Sequence, residues 1–332
     1  MKKIFFIAAA TAMLLLSMTS CNKDKEGVYN PKQKISVLYE QSSDIWENYD
    51  GERWTESDIS SYTKLHKSQE WTWDGKQLQQ IKGYTSEGAL SYTQTFTYEK
   101  KKLIRVDYVD AENSYSSYAT FEYDGKLLTK ATAYNGGGEV ITCEYTHTDK
   151  KITNITYTVY EDDAKGASVI NATKQLAVLR MTLPQGQISR NIISEQEAKM
   201  KSRKEIEFIA RLTLTWTGNN ITSVTAIYDG YTGSETNSFT YDTKKNPYHL
   251  YMDENSVYAE DGSGLMFLNE NNILTARYYY DNQNEPGSTT SRTYTYTYDN
   301  NDYPVACTYC FKYSTDTFRK TYTTTTTYEY LK

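Results

Sequence analysis

One six-residue pattern constrains this chain more than any other feature. Tyr123-Asp124-Gly125-Lys126-Leu127-Leu128 recurs as Trp73-Asp74-Gly75-Lys76-Gln77-Leu78 and as Tyr98-Glu99-Lys100-Lys101-Lys102-Leu103. Take the aromatic as position zero. An apolar residue then stands at plus five and a small or branched one at plus eight. Leu78 and Ile81 follow Trp73, Leu103 and Val106 follow Tyr98, and Leu128 and Ala131 follow Tyr123. His147 replaces the aromatic before Ile152 and Ile155, Trp216 precedes Ile221 and Val224, Leu268 stands before Ile273 and Ala276, and Tyr298 leads to Tyr303 and Ala306. Tyr241 opens a variant followed by Asn246-Pro247-Tyr248, which makes eight copies. Positions 73, 98 and 123 are 25 residues apart, as are 216 and 241. A fixed period of about 20 to 50 residues marks a repeat architecture.

Upstream of each zero position the chain alternates. Leu90, Tyr92, Gln94, Phe96 and Tyr98 share one side of an extended segment, and Ser91, Thr93, Thr95 and Thr97 share the other. The same holds for Ala119, Phe121 and Tyr123, for Leu212, Leu214 and Trp216, and for Tyr294, Tyr296 and Tyr298. Period two in Thr, Tyr, Phe and Trp predicts half-buried strands. The Asp-Gly-Lys or Gly-Asn-Asn segment that follows is turn chemistry, because Gly and Asn accept positive φ. Each unit therefore reads as strand, tight turn, strand, and eight units predict about sixteen strands, plus flanking ones.

The N-terminus sets an expected address. Lys2 and Lys3 precede an apolar run of 13 residues, Ile4 to Leu16. That is shorter than the ~20 a membrane-spanning helix needs, and it has the form of a secretory signal over residues 1–20. Met18-Thr19-Ser20-Cys21 resembles a bacterial lipobox, so Cys21 is the expected lipidation site and the chain an expected outer-membrane lipoprotein, displayed on the cell surface or facing inward. Residues 21–33 read as a flexible tether, and Asn22 to Glu26 resemble an acidic surface-export signal. Residues 34–332 read as a single β domain, with a first strand at Lys34 to Glu40 that carries Ile35, Val37 and Tyr39 on one side. Gln41 to Ser68 reads as a polar connection carrying Trp46 and Trp54. An insertion at 158–211 breaks the period, and Ser194-Glu195-Gln196-Glu197 within it is a capping-box pattern that predicts a short helix over 195–205, or else a charged hairpin. Tyr313 to Leu331, rich in Thr and Tyr, reads as strand.

Composition narrows the function classes. The net charge is −6 with no basic block, which disfavours nucleic acid as a partner. The 33 tyrosines suit sheet faces that are neither fully dry nor fully wet. A membrane-spanning barrel needs a continuous apolar outer band, whereas one face of many strands here is Thr, Ser, Gln and Glu and the mean hydropathy is −0.72.

No catalytic, cofactor or metal set is recognisable. Cys307-Thr308-Tyr309-Cys310 has no second CxxC to complete a zinc site, and residues three apart on a strand point to opposite faces. Cys143 could pair with Cys307 or Cys310 in an oxidising compartment, or all three could be small buried residues. His66, His147 and His249 are scattered, and Asp162-Asp163, Asp253-Glu254 and Glu260-Asp261 sit in turn-like context. Gly136-Gly137-Gly138 reads as a hairpin tip, since no helix follows it to cradle a phosphate. Trp46, Trp54 and exposed tyrosines are candidates for stacking on sugars.

Taken with Cys21 and Lys34-Ile35-Ser36, the motifs Trp71-Thr72-Trp73-Asp74-Gly75, Tyr-Asp-Gly-Lys-x-Leu, Tyr298-Asp299 and Tyr303-Pro304 resemble a Bacteroidetes-type lipoprotein family of unknown function with a porin-like fold. The likeness covers nearly the whole mature chain. It implies a large antiparallel barrel or strongly curled sheet and no known activity. The units also look like the Tyr-Asp repeats of shell-forming proteins that encapsulate toxins, but lack the later Gly those repeats carry.

The expected fold is therefore all-β: an antiparallel meander of hairpin repeats, closed or nearly closed into a barrel, with one short helix in the insertion. A meander this wide curls or splits when open, and closure removes its edges. An open, curved sheet is the alternative. Three functions fit such a chain: a non-catalytic lipoprotein that binds or scaffolds an extracellular glycan or protein, a hydrolase of cell-surface or dietary polysaccharide, and a hollow shell enclosing a partner.

Overall fold

The computed structural model describes residues 26–50, 53–57, 60–111, 116–135, 138–160, 206–230, 233–257, 263–282, 285–314 and 318–332. The signal segment, Cys21, the helix expected over 195–205, Gly136-Gly137, Asp162-Asp163 and Glu260-Asp261 lie outside the described residues.

Strands β1 (Ile35–Tyr49), β2 (Trp54–Glu56), β3 (Ser61–Tyr62), β4 (His66–Asp74), β5 (Gln77–Tyr84) and β6 (Leu90–Glu99) open the chain. They are followed by β7 (Lys102–Asp110), β8 (Ser116–Asp124), β9 (Leu127–Asn135), β10 (Gly138–Thr148), β11 (Lys151–Tyr160) and β12 (Ile206–Thr217). The second half contributes β13 (Asn220–Tyr228), β14 (Gly233–Lys245), β15 (Asn271–Asn282), β16 (Glu285–Tyr298), β17 (Pro304–Ser314) and β18 (Phe318–Tyr330). Each wall strand pairs antiparallel with its neighbour, and β1 pairs with both β18 and β4, so the sheet closes. The short β2 and β3 lie on the far half of β1. Setting them aside, eighteen strands leave sixteen in the wall. Closure leaves no free edge for another chain to pair with, and the open-sheet alternative is excluded.

The repeat motif has a mechanical explanation. In five units the zero residue faces the plus-five residue, Trp73↔Leu78, Tyr98↔Leu103, Tyr123↔Leu128, His147↔Ile152 and Trp216↔Ile221, whereas Tyr298 faces Pro304 at plus six. The register slips by one residue immediately before every one of these pairs. A β-bulge sets two residues of one strand against one of the other. Positions plus five and plus eight would face opposite ways on a regular strand, but the bulge absorbs one residue and turns both inward. Leu78 and Ile81, Leu103 and Val106, Leu128 and Ala131, Ile152 and Ile155, and Ile221 and Val224 are accordingly all buried. The turns use positive φ, at Gly75 (53°), Gly125 (55°) and Gly218 (57°), and where Gly is missing at Lys100 (49°) and Asp149 (50°).

The zero residue is Trp or Tyr rather than Phe because its polar tip is used. Trp73 Nε1 donates to the Ile35 carbonyl at 2.7 Å, Tyr123 OH to Leu103 at 2.8 Å, and Trp216 Nε1 to Ile152 at 2.8 Å. Tyr241 OH donates to the Ile221 carbonyl, and Tyr330 OH to that of Pro304 at 2.7 Å. These five units are thus latched to the plus-five region of the unit before them, while Tyr298 OH donates instead to the Asp242 carboxylate. His147 makes no such latch. There Glu26 from the N-terminal segment takes over, accepting from the Leu128 N–H and lying 3.2 Å from His147 Nε2.

Two of the eight copies need correction. Tyr241 and Leu268 do not open separate hairpins: β14 and β15 pair with each other, with Tyr241 facing Ile273 as zero faces plus five elsewhere. They are the halves of one unit, and residues 246–270 are inserted where its turn would be. The missing eighth unit is β18 with β1, where Tyr330 faces Ile35 and the register slips beside the pair. The first strand is also longer than expected. The slip between Ile35 and Val37 makes Leu38 and Glu40, not Val37 and Tyr39, the buried positions, and β1 runs on through Trp46 to Tyr49. Polar composition hid that extension, because at the rim of a barrel both faces of a strand are partly wet.

Candidate functional site

The wall sorts its residues by face. Outward positions such as Thr72, Thr95, Thr97, Glu122, Glu144, Arg211, Thr213, Thr215, Thr293 and Thr295 are exposed, while the intervening inward ones form the core. This is the reverse of a membrane-spanning β barrel, which is apolar outside and polar within.

The two ends of the interior differ. At the tight-turn end, residues 246–257 and 263–270 fold inward and carry two short 3-10 turns, Glu254–Val257 and Ser263–Leu268. Tyr248, Met252, Val257, Leu265 and Phe267 from this plug are buried in the core. Tyr29 packs on Trp73 and Tyr251, with ring centroids 5.5 and 5.4 Å away, and donates to the Pro247 carbonyl at 2.7 Å. Asparagines pin the plug where it leaves the wall: Asn269 accepts from the Ile221 N–H at 2.7 Å, and Asn246 Nδ2 donates to the Asn269 carbonyl at 2.9 Å. Asp242 accepts from Asn272 N and Nδ2, both at 3.1 Å. The barrel therefore encloses a segment of its own chain.

Toward the opposite end the lining changes character on β16, β17, β18 and β1. Tyr294, Tyr309, Phe311 and Tyr322 form a second aromatic cluster, separate from the main core. Tyr309 lies 5.1 Å from Tyr294 and 6.1 Å from Tyr322 between ring centroids. Nearer the rim, Trp46 stacks on Phe318 at 6.0 Å, Phe318 touches Tyr313 at 5.3 Å, and Lys320 Nζ stands 4.4 Å over the Trp46 ring while pairing with Asp44 at 3.2 Å.

Polar groups without partners are set among these rings. Glu40, 2% exposed, has no partner for Oε2, and its Oε1 receives only a long 3.5 Å bond from Thr326. Burial pushes its carboxyl up to about 8, the Thr326 hydroxyl opposing weakly. Arg292, 7% exposed, leaves Nε and Nη2 unpaired, and the Thr324 hydroxyl and Asp44 Oδ1 also lack partners. Most buried polar atoms in proteins are hydrogen-bonded, so this concentration on one wall sets the region apart. The registers Arg292↔Phe311, Tyr309↔Thr324 and Thr326↔Glu40 place these residues on four consecutive strands.

Of the candidates read from the sequence, Trp46 belongs to this wall. Trp54 sits beside the rim, 5.2 Å from Tyr49, with the Arg319 guanidinium 4.0 Å over its ring. Cys143, Cys307 and Cys310 are free thiols, the first two buried. Cys143 donates to the Val257 carbonyl at 2.9 Å, which ties the plug to β10. Asp253 caps the first 3-10 turn, accepting from the Ser256 N–H at 3.1 Å. His147 belongs to the Glu26 latch, and His249 Nδ1 lies 3.2 Å from the Asn269 carbonyl. No metal-binding cluster occurs among the described residues. Sequence reasoning missed Glu40 and Arg292. An isolated charge in an alternating strand gives no sign of its face until the bulges are placed.

Neither a protein-family model nor a curated protein sequence matches the chain. Among solved structures it is similar to a porin-like protein from Bacteroides uniformis, at 16% identity and TM-score 0.45, covering 92% of this chain and 100% of the other. It is also similar to a porin-like protein from Bacteroides vulgatus, at 10% identity and TM-score 0.42, covering 90% of this chain and 99% of the other. The likeness is one of barrel fold.

Proposed function

We propose that this chain is a lipid-anchored binding protein of the outer membrane that holds a saccharide in the end of its barrel opposite the plug. The observation that carries this reading is the inward wall of Trp46, Tyr309, Phe311, Phe318 and Tyr322, with unpartnered polar atoms of buried Glu40, Arg292 and Thr324 among the rings. Aromatic faces supply apolar contact area, and a few convergent polar groups fix orientation, which is the composition expected of a small-molecule site. A polar outer wall suits a barrel that stands in water rather than in lipid.

The anchor fits this orientation. Glu26 is held at the tight-turn end by Leu128 and His147, and Cys21 lies five positions before Glu26. Five residues span at most about 18 Å. A lipid on Cys21 would keep the plugged end toward the membrane and the opposite end away from it. One acyl chain binds only marginally, so several are expected on this Cys.

The wall favours binding over hydrolysis. A glycosidase needs two carboxyl groups roughly 5 to 9.5 Å apart. Glu40 and Asp44 stand four residues apart on one strand, about 13 Å of rise, and Asp44 is engaged by Lys320.

Two measurements test the reading. Cys21→Ala should move the protein from the membrane to the soluble fraction, and retention in the membrane would refute the anchor. In the purified chain, neutral and acidic oligosaccharides should perturb tryptophan emission, with Trp46→Phe and Tyr322→Ala each weakening binding at least ~10-fold. Affinities unmoved by both substitutions would refute a saccharide site on this wall.

A further inference from the structure

We infer that the ligand carries a monoanionic group, a carboxylate or a sulfate ester, and that the Nε–Nη2 edge of Arg292 holds it. This rests on the saccharide-binding reading above and narrows it. The two unpaired nitrogens of Arg292 are not arbitrary. Nε and one terminal nitrogen form one edge of the planar guanidinium, the fork that grips two oxygens of an oxyanion side by side.

The surroundings give that edge its meaning. Arg292 alternates with exposed Ser291 and Thr293, so it points into the barrel, and its cross-strand partners Ala276 and Phe311 are both buried and apolar. Tyr294 follows it on the same face and packs on Tyr309. No carboxylate pairs with Arg292 among the described residues. The acids of this wall are otherwise disposed: Asp44 is paired with Lys320, and Glu40 lies on β1, with β17 and β18 between it and β16. A buried carboxylic acid can neutralise itself by taking up a proton, whereas a guanidinium stays charged. An unpaired buried cation is costly, and a ligand anion is the group that would complete it. The single charge of Arg292 matches one negative charge better than the two of a phosphate monoester.

The test uses the full chain purified in detergent, with glucuronic acid, galactose 6-sulfate, glucose and galactose titrated at constant ionic strength. The expected result is an affinity for at least one of the two acidic sugars ~10-fold or more above its neutral parent. Preference for glucuronic acid would identify the carboxylate as the source, and preference for galactose 6-sulfate the sulfate. Arg292→Gln should bring the affinity for the acidic sugar down to that for its neutral parent, abolishing the preference. Arg292→Lys should restore part of it, since a point charge cannot form the fork. Arg292→Met, which removes the unpaired charge at similar volume, should melt above the wild type in the absence of sugar and gain less from the acidic sugar than the wild type does. Equal affinity for neutral and acidic sugars, or a preference that survives Arg292→Gln, would overturn the inference and leave the saccharide reading standing. Absence of binding by all four sugars, and by longer oligosaccharides built from them, would overturn both.

Discussion

Replacing Glu40 by glutamine should make this protein more stable at neutral pH, because the native state must protonate the buried carboxyl to keep it neutral. Burial raises the folded-state carboxyl from 4.5 to about 8, so at pH 7 the folded protein holds a proton that the unfolded chain releases. The sign follows directly. The native state binds the extra proton, so stability is greatest below 4.5, falls as pH rises, and levels off above 8. Each unit between 4.5 and 7 is worth ~1.4 kcal/mol, which makes the penalty at pH 7 about 3 kcal/mol. Gln keeps the shape and never ionises, so Glu40→Gln should recover most of that amount. With ~2.1 cal/mol/K of unfolding entropy per residue, a domain of roughly 300 residues gives about 0.6 kcal/mol/K, and the gain appears as about 5 °C in Tm. The assay is urea denaturation of both proteins at intervals from about pH 5 to about pH 9, because the difference between the two curves cancels every other titrating group. The wild-type curve should drop relative to the variant between 5 and 8 and run parallel above 8. Parallel curves throughout would refute the claim that Glu40 is buried without a compensating partner.

Three further outcomes follow from the turns, the latches and the plug. Gly75, Gly125 and Gly218 have positive φ, and a Cβ added at any of them would meet nothing within 4 Å, so Gly→Val at each should cost about 1 kcal/mol or more from backbone strain alone; Lys100→Gly should go the other way in the same urea titration. Tyr123→Phe deletes the latch to Leu103 while keeping the ring, and should cost about 1 kcal/mol, read from the urea midpoint at unchanged slope. Met252→Ala, at a plug position 1% exposed, should cost about 2 to 5 kcal/mol, whereas a plug that merely rests in the opening would tolerate the change.

The sequence announced most of the strands and turns, because each rests on local chemistry: alternation, Gly or Asp after the aromatic, and a fixed period. The count of units is reached only after Tyr241 and Leu268 are merged and the β18–β1 unit is added. Even the plus-five and plus-eight spacing carried the bulge in coded form, since two inward residues three apart require one extra residue between them. The plug was not legible in this way. Its apolar residues, Leu265 to Leu268, imitate the approach to a zero position, and only the pairing of Tyr241 with Ile273 shows that the chain leaves the wall and returns. The site was less legible still. Glu40, Arg292 and Thr324 are far apart in sequence and acquire meaning only when closure brings β1 beside β18 and the aromatic wall forms around them.

That closure has a topological consequence. Ile35 and Tyr330 face each other across the seam, and the Leu331 N–H donates to the Lys34 carbonyl at 2.8 Å. Lys34 and Leu331 therefore stand where the two sides of a hairpin turn would stand, and the ring of units closes on itself. A circular permutant that joins Lys332 to Pro31 through a short linker and opens the chain between Asp124 and Lys126 would keep every strand pairing. Its order along the gene would change, and its order around the barrel would not.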